Sequence, residues 1–211
     1  GLLVEAGFAA KDVDVFIHGT TLATNALIER KGAATAFITT EGFRDILEMG
    51  TEQRYDIYDL FIGFPEPLVR RDLRLEVAER VDAEGAVVTP LDAGGVEEAA
   101  KALVAAGCDA IAISFLHAYA NPAHEIAAAR TVRALFPTLS VSISSEVVAE
   151  MGEYQRTVTT SANAYVQPLM GRYLEKMEAA LRERGFAGQL RLMHSAGGLV
   201  SVETARAFPI R

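Results

Sequence analysis

Residues 16–33 read FIHGTTLATNALIERKGA, and this stretch decides the fold class because strand-like sequence gives way to helix-like sequence within a few residues. The apolar residues of VDVFI (13–17) predict a buried strand, and the run after the HGTT corner has the composition of a helix. Gly32 predicts the end of that helix, because glycine readily takes the left-handed cap conformation. The stretch therefore predicts a strand, a polar corner and a crossover helix.

The same alternation continues along the chain and predicts an α/β protein with mostly parallel or mixed sheets and crossover helices. Further strands are predicted at 35–39, 110–116, 139–144 and 189–193. One helix is predicted at 96–106, ending at Gly107, and another begins with Asn121 as its cap and Pro122 as its first residue. The stretch 73–91 alternates apolar and polar residues around DAEG, which predicts a hairpin.

Residues 150–167 are polar and rich in hydroxyl groups, and we expect Pro168 to precede an amphipathic helix. Leu169, Tyr173, Met177 and Leu181 recur at a spacing of four and predict its apolar face. The polar stretch EYQRTVTTSANAY (153–165) has two interpretations: a solvated helix start with internal salt bridges, or a set of functional groups.

The composition argues against several classes of protein. Half of the 211 residues are hydrophobic, so a globular fold is expected, and the net charge of −8 with no basic run argues against a nucleic-acid partner. No stretch approaches the length of a membrane span, so we expect no membrane association. A lone cysteine, Cys108, excludes an internal disulfide and favours a reducing, cytoplasmic compartment.

Three predicted strands end in polar, glycine-containing corners: FIHGTT, FITTEGF and LMHSAGG. Ligands of open parallel sheets bind outside the carboxyl ends of the strands, so we expect the three corners to share one site. Plainer interpretations remain for each of them. Thr20 and Thr21 are also good helix caps, His18 and His194 suit loop-holding histidines, and SAGG suits a simple turn.

Two other features have weak signals. His117 and His124 are the best pair of metal ligands in the sequence, but no second cluster accompanies them, so we predict no metal site within the chain. Tyr55, Tyr58 and Phe61 lie in an irregular, aromatic stretch, and we expect them to be buried lid residues rather than a partner surface.

Six ordered motifs together resemble one family, the hydantoinase A and 5-oxoprolinase family, over essentially the whole chain. The motifs are HGTTLATNALIERKGA, ITTEGFRDILEMG, RYDIYDL, FLHAYANPAHE, SSEVVAEMGEYQRTVTTSANAYVQP and MHSAGGLVS. The resemblance implies part of an actin-like (ribonuclease H-like) ATPase fold with an inserted α/β subdomain. With composition shifts near Leu68 and Val147, it places part of the first lobe at 1–67, the insertion at 68–146 and the return to the core at 147–211.

The resemblance implies an enzyme that opens a cyclic amide, namely hydantoin, N-methylhydantoin or 5-oxoproline, by phosphorylating the amide oxygen with ATP and Mg²⁺. Both phosphate loops of the family lie outside the matched motifs, so we expect an internal portion of a longer enzyme that is inactive alone. The family also contains ATPase-type subunits of acetone and acetophenone carboxylases, and the motifs do not separate the two activities. A third interpretation is a scaffold or subunit-contact segment.

The resemblance also implies site residues. His18, Thr20 and Thr21 are assigned to catalysis. A larger set is assigned to substrate or phosphate binding: Gly19, Thr24, Asn25, Thr40, Glu41, Gly42, Arg156, Asn163, His194, Ser195, Gly197 and Gly198. Ala196 departs from the family pattern, which has asparagine there, so we assign it no polar role. Expected partners are a small cyclic amide, further copies of the chain and a hydantoinase B-like subunit.

Overall fold

The computed structural model describes residues 9–51, 58, 61, 63–195 and 197–211. They form two compact units: the first joins the residues up to Gly32 with Val166–Arg211, and the second is Ala33–Tyr165. These seams differ from those at 67/68 and 146/147 in the predicted domain scheme, which stays a prediction for the family-level organisation.

The second unit is built on a four-stranded, fully parallel sheet in the order β3-β2-β6-β7. Its strands are β2 (Thr35–Thr40), β3 (Arg74–Val77), β6 (Ala110–Ser114) and β7 (Ser140–Ile143), with a two-stranded antiparallel hairpin of β4 (Arg80–Val81) and β5 (Val87–Thr89). Its helices are α2 (Ile46–Met49), α3 (Ala93–Ala105), α4 (Ala123–Leu135) and α5 (Ser144–Val147), with a 3₁₀ turn at Arg71–Leu73.

The first unit contains a three-stranded sheet in the order β1-β8-β9, where β1–β8 is parallel and β8–β9 antiparallel. Its strands are β1 (Val15–His18), β8 (Gln189–Met193) and β9 (Leu199–Ser201), and its short helices are α1 (Leu22–Ile28) and α7 (Val202–Ala207), with a 3₁₀ turn at Ala10–Asp12. The α/β class with parallel and mixed sheets is therefore confirmed.

The core of the second unit lies on both faces of its sheet, because every residue of β2 and β6 is buried. On one face Ile38, Ile111 and Ile113 pack against α3 and α4, and on the other Phe37 packs beside α2. Burial on two faces explains why the apolar residues 36–38 of β2 and 110–113 of β6 are consecutive rather than alternating with polar ones.

A buried carboxylate joins the ends of these elements. Glu125 on α4 accepts hydrogen bonds from the Phe115 N–H at 2.8 Å, the Ser144 hydroxyl at 2.6 Å and the Ser145 N–H at 2.8 Å. The Arg156 guanidinium donates to Ser144 Oγ and to the Phe115 carbonyl, so it extends the same network. Burial raises the pKa of Glu125, while its hydrogen bonds act in the opposite direction.

Helix and turn predictions in the second unit are mostly confirmed. Helix α3 ends before Gly107, which has a φ of +87° as the cap prediction requires. Asn121 does accept the N–H of Ala123, but the helix begins at Ala123 rather than Pro122. The hairpin predicted at 73–91 is confirmed only for β4 and β5, because Arg74–Val77 pairs in parallel with β2 instead.

The prediction that Pro168 precedes a helix is wrong, because α6 runs from Glu153 to Glu183 with Pro168 inside it. An interior proline costs about 3 kcal/mol. The nearby side chains of Val166, Met170 and Leu174 are at most 5% exposed, and burying such side chains contributes about 1.5–3 kcal/mol each. These positions, and not 169, 173, 177 and 181, are the most buried ones, so the predicted face is shifted by one residue.

Two exposure predictions are also wrong, and one of the two interpretations of residues 153–165 is excluded. β1 is an edge strand, and Val15 and Ile17 are 46% and 51% exposed rather than buried. Residues 153–165 are not a solvated helix start, because Arg156, Thr160 and Asn163 are buried. Tyr58 and Phe61 are exposed rather than lid-buried, and Tyr55 lies outside the described residues.

Long as α6 is, at 31 residues, it is not apolar enough to cross a lipid bilayer. The same holds for every other helix in the part of the chain that the structure describes.

Glu125→Gln is expected to lower the free energy of unfolding at pH 7 by about 2–3 kcal/mol, because glutamine cannot accept both the Phe115 and the Ser145 N–H groups. Urea unfolding measures the change. The matched control is Glu98→Gln, an exposed carboxylate on α3. Equal stability of Glu125→Gln and wild type would show that the network contributes little.

The same variant has a pH signature. Because burial raises the pKa of Glu125, the unfolded chain releases this proton first as the pH rises above the usual glutamate value of about 4.3. Wild-type stability should therefore fall between that pH and the raised pKa. Glu125→Gln should lack this component of the slope, and urea unfolding across that pH range provides the test.

Candidate functional site

The parallel pairing of β1 with β8 brings two of the three predicted corners together. Val15 lies opposite Gln189 and His18 opposite Leu192, so both strands end at the same edge of the sheet. A Cβ atom built on Gly19 would lie 3.8 Å from Met193 Cβ. The HGTT corner and the start of the HSAGG turn are therefore neighbours in the first unit.

The first corner leaves its small polar groups at the surface. Gly19, Thr20 and Thr21 are exposed, and Thr20 Oγ1 accepts the N–H of Leu22 at 3.2 Å at the start of α1. Thr21 Oγ1 instead accepts from the Asn25 side-chain amide at 3.4 Å. Thr21 is the N-cap residue of α1 but makes no side-chain cap bond. The hydroxyl hydrogen of Thr20 is not used by its bond to Leu22 and can be donated to a ligand.

The other corner is a tight turn after β8. The His194 N–H donates to the Gly198 carbonyl at 3.1 Å, and the Gly197 N–H donates to the His194 carbonyl at 3.0 Å. Gly197 and Gly198 have φ values of +91° and +88°, which glycine adopts without strain. The turn presents His194 and Ser195 beside the strand end, and Ala196 lies outside the described residues.

A cavity of about 130 Å³ lies within the first unit and joins the two corners. Its polar lining consists of Thr20, Thr24, His194, Ser195 and Arg211. Its remaining lining is apolar: Ala23, Leu27, Met170, Leu192, Met193, Val200, Ala205, Phe208, Pro209 and Ile210. Among the described residues, no Asp or Glu side chain lines the cavity, which therefore suits a neutral or anionic ligand with an apolar part.

His18 stands next to this cavity but is not part of its lining. Its Nε2 atom lies 2.7 Å from the Tyr173 hydroxyl on α6, and the two rings are 5.8 Å apart. The sequence analysis placed Tyr173 only on the apolar face of a helix. The one sign of a polar role in the sequence was the hydroxyl group that a tyrosine brings to such a face.

The second corner belongs to the other unit, where its polar groups are already bonded within the protein. Thr40 is buried, and its hydroxyl oxygen contacts Glu79 Oε1 and accepts the Leu116 N–H at 2.9 Å. The Gly42 N–H donates to Glu76 Oε1 at 2.9 Å, and the exposed Glu41 uses its N–H in a bond to Val77. Their proposed contact with a ligand stays a prediction.

Arg156 and Asn163 lie in the second unit as well. Arg156 is 2% exposed and donates to Ser144, to Phe115 and to the Glu150 carbonyl. Asn163 is fully buried and donates from Nδ2 to Ser142 Oγ at 3.0 Å. Both residues hold the unit together, and their place at a ligand-binding wall stays a prediction.

No group of three or more potential metal ligands occurs among the described residues. His124 Nδ1 is bonded to the buried Glu79 at 2.8 Å, and His117 Nδ1 lies 3.4 Å from the Tyr119 hydroxyl. The described residues therefore offer no dedicated set of protein ligands for Mg²⁺, an ion that usually keeps several waters and binds one or two carboxylates together with substrate phosphates.

Comparison with known families finds two matching models. Residues 2–136 match the model of the hydantoinase/oxoprolinase N-terminal region, and residues 156–211 match that of hydantoinase/oxoprolinase. Between the two matched regions lie residues 137–155, which neither model covers.

Individual relatives agree with this assignment. The chain is 38% identical over 190 residues to the caprolactamase subunit alpha of Pseudomonas jessenii, covering 89% of this chain and 27% of that protein. It is 32% identical over 203 residues to the acetophenone carboxylase gamma subunit of Aromatoleum aromaticum, covering 90% of this chain and 28% of that protein.

The structural comparison points to the same relatives. The crystal structure of the ATP-dependent caprolactamase from Pseudomonas jessenii superimposes with a TM-score of 0.89 at 34% identity, covering 99% of this chain and 32% of that one. The chain thus spans less than a third of the length of the relatives it matches.

Tyr173→Phe is expected to lower the free energy of unfolding by about 0.5–1.5 kcal/mol, because it removes one partly buried hydrogen bond. It should also shift the ring ¹⁵N signals of His18 in NMR spectra. Tyr119→Phe is the matched control, because Tyr119 contacts His117 and should shift that ring alone. Unchanged His18 signals in Tyr173→Phe would contradict the bond.

Proposed function

The chain belongs to the hydantoinase/oxoprolinase family, and from this premise we propose that it is part of an ATP-dependent enzyme that opens a cyclic amide such as hydantoin, N-methylhydantoin or 5-oxoproline. The observation that carries the proposal is the cavity of the first unit, where Thr20 and Thr24 of one corner meet His194 and Ser195 of another. Small hydroxyl and imidazole groups beside an apolar wall suit a small ring with one polar edge.

The proposed chemistry overcomes the low reactivity of the amide. Resonance makes the amide carbon a poor electrophile, and transfer of the γ-phosphoryl group of ATP to the amide oxygen, with release of ADP, turns that oxygen into a leaving group. Water then adds to the carbon, and the ring C–N bond breaks as the nitrogen takes up a proton, which leaves an acyl phosphate. A second water molecule hydrolyses the acyl phosphate to a carboxylate and inorganic phosphate. Such a transfer depends mainly on positioning and on stabilising charge.

The residues of the first unit would supply positioning. The Thr20 hydroxyl is a donor beside the cavity, and Gly19 and Thr21 expose further polar groups at the same corner. The charge-stabilising role proposed for His18 then falls to Nδ1, because Nε2 is bonded to Tyr173. Thr24 and Asn25, one turn later, complete this wall.

A second candidate activity rests on the similarity to the acetophenone carboxylase gamma subunit. The chain would then belong to an ATPase-type subunit that activates a ketone and bicarbonate. Phosphate release by the full-length protein separates the two activities: 2-pyrrolidinone, hydantoin or 5-oxoproline stimulates it in one case, and acetone or acetophenone with bicarbonate in the other.

We also propose that activity needs more than this chain. The relatives it matches are more than three times longer, and two of them are named as subunits. A second, hydantoinase B-like subunit, further copies of the chain, and nucleotide and Mg²⁺ sites outside these residues are the expected complements. Isolated, the chain is expected to be an inactive scaffold, and calorimetry with ATP and Mg²⁺ should detect no tight binding.

Thr20→Val in the full-length protein is expected to reduce substrate-dependent ATP hydrolysis by about 10–100-fold, because it deletes a hydroxyl that orients the reacting group. The matched control is Thr89→Val, which removes an exposed hydroxyl from β5 and suits a strand. Phosphate release measures both variants. Equal turnover in Thr20→Val, Thr89→Val and wild type would remove this corner from the mechanism.

A further inference from the structure

We propose that the cavity of the first unit is a ring pocket for a cyclic amide with a single five- or six-membered ring, and that Met170 limits the size of that ring. This inference rests on the proposed function. It specifies which part of the substrate the cavity holds and which residue selects the ring size.

Size supports a single small ring. The cavity measures about 130 Å³, and an apolar cavity of about 150 Å³ binds one benzene molecule. A five- or six-membered lactam therefore fills the available space. A nucleoside triphosphate is several times larger, so this cavity by itself does not enclose one.

The chemistry of the lining supports a lactam in particular. Such a ring has one polar edge, the amide, and one edge made of CH₂ groups. The cavity offers the same division: Thr20, His194 and Ser195 supply hydrogen-bonding groups, and aliphatic side chains such as Leu27 and Val200 face the rest. Because no Asp or Glu side chain occurs in the part of the lining that the structure describes, that lining gives no counter-ion to a cationic ligand.

Met170 is placed to set the ring size. Met170 and Leu192, at 5% and 4% exposure, are the most buried of the lining residues, so they mark the inner end of the cavity. Met170 comes from α6 and packs with Leu174, Leu192 and Val202 in the core of the unit. Its unbranched side chain fills the space that an additional ring CH₂ group would need.

The test is an NMR titration of this chain with 2-pyrrolidinone, 2-piperidone and ε-caprolactam, whose rings have five, six and seven atoms. Wild type is expected to bind the six-membered ring at least fourfold more tightly than the seven-membered one, with shifts at Thr20, His194 and Met170. Met170→Ala should remove or reverse this preference, because each newly buried CH₂ group is worth about fourfold in affinity.

Met177→Ala is the matched control, since it makes the same change on the same helix at a residue that does not line the cavity. It should keep the wild-type preference. Ala205→Val makes the opposite change, adding two methyl groups to the lining, and should weaken the six-membered ring more than the five-membered one. This variant decides the question if Met170→Ala does not fold.

The outcomes separate the two proposals. Lactam binding at the cavity with the same ring preference in Met170→Ala and Ala205→Val as in wild type would overturn the role of Met170 and leave the proposed function standing. Absence of binding, or shifts only at residues away from the cavity, would overturn the ring pocket. The turnover of Thr20→Val in the full-length protein tests the function independently.

Discussion

The parallel register of β1 against β8 is the constraint on which the candidate site depends. It joins segments from opposite ends of the sequence and makes both strands end at one edge, so that the HGTT corner meets the turn at His194. Closing so long a loop costs conformational entropy. Burial of the inner face offsets that cost, because Leu190 and Leu192 of β8 pack with Leu174 and Val202.

The two units treat their polar groups in different ways. In the second unit, two groups that the sequence analysis assigned to ligand binding form hydrogen bonds with carboxylates of the protein itself. Thr40 bonds to Glu79, and the Gly42 N–H bonds to Glu76. Glu125 satisfies the ends of further elements in the same manner. In the first unit the corner residues around Thr20 are exposed beside a cavity whose described lining contains no Asp or Glu side chain. This contrast is why the ligand-binding proposal rests on the first unit.

Local sequence predicted elements well where one residue type has a strong conformational preference. Gly107 follows the end of α3, Asn121 accepts the first N–H of α4, and DAEG forms the turn of the β4–β5 hairpin, because each acts through backbone geometry over a few residues. The same reasoning failed at Pro168, where the local preference against a helix interior is outweighed by burial of neighbouring side chains. Local rules predict well only where packing does not oppose them.

The site was also predictable only where it depends on local sequence. The residue types of the two corners, hydroxyls and imidazoles flanked by glycine, could be recognised from the sequence, and so could the family, because six ordered motifs carry it. The hydrogen bond between His18 and Tyr173 and the burial of Arg156 could not, because each depends on a partner far away in the chain.

The sequence by itself determined the α/β class, most strand and helix positions and the family, since these follow from periodicity, turn residues and motifs that are local in the chain. Only the tertiary structure decided which corners share a cavity, which polar groups the protein satisfies internally, and that Met170 borders the space left for a ligand. The physical reason is that strand pairing and side-chain packing join residues that no local pattern connects.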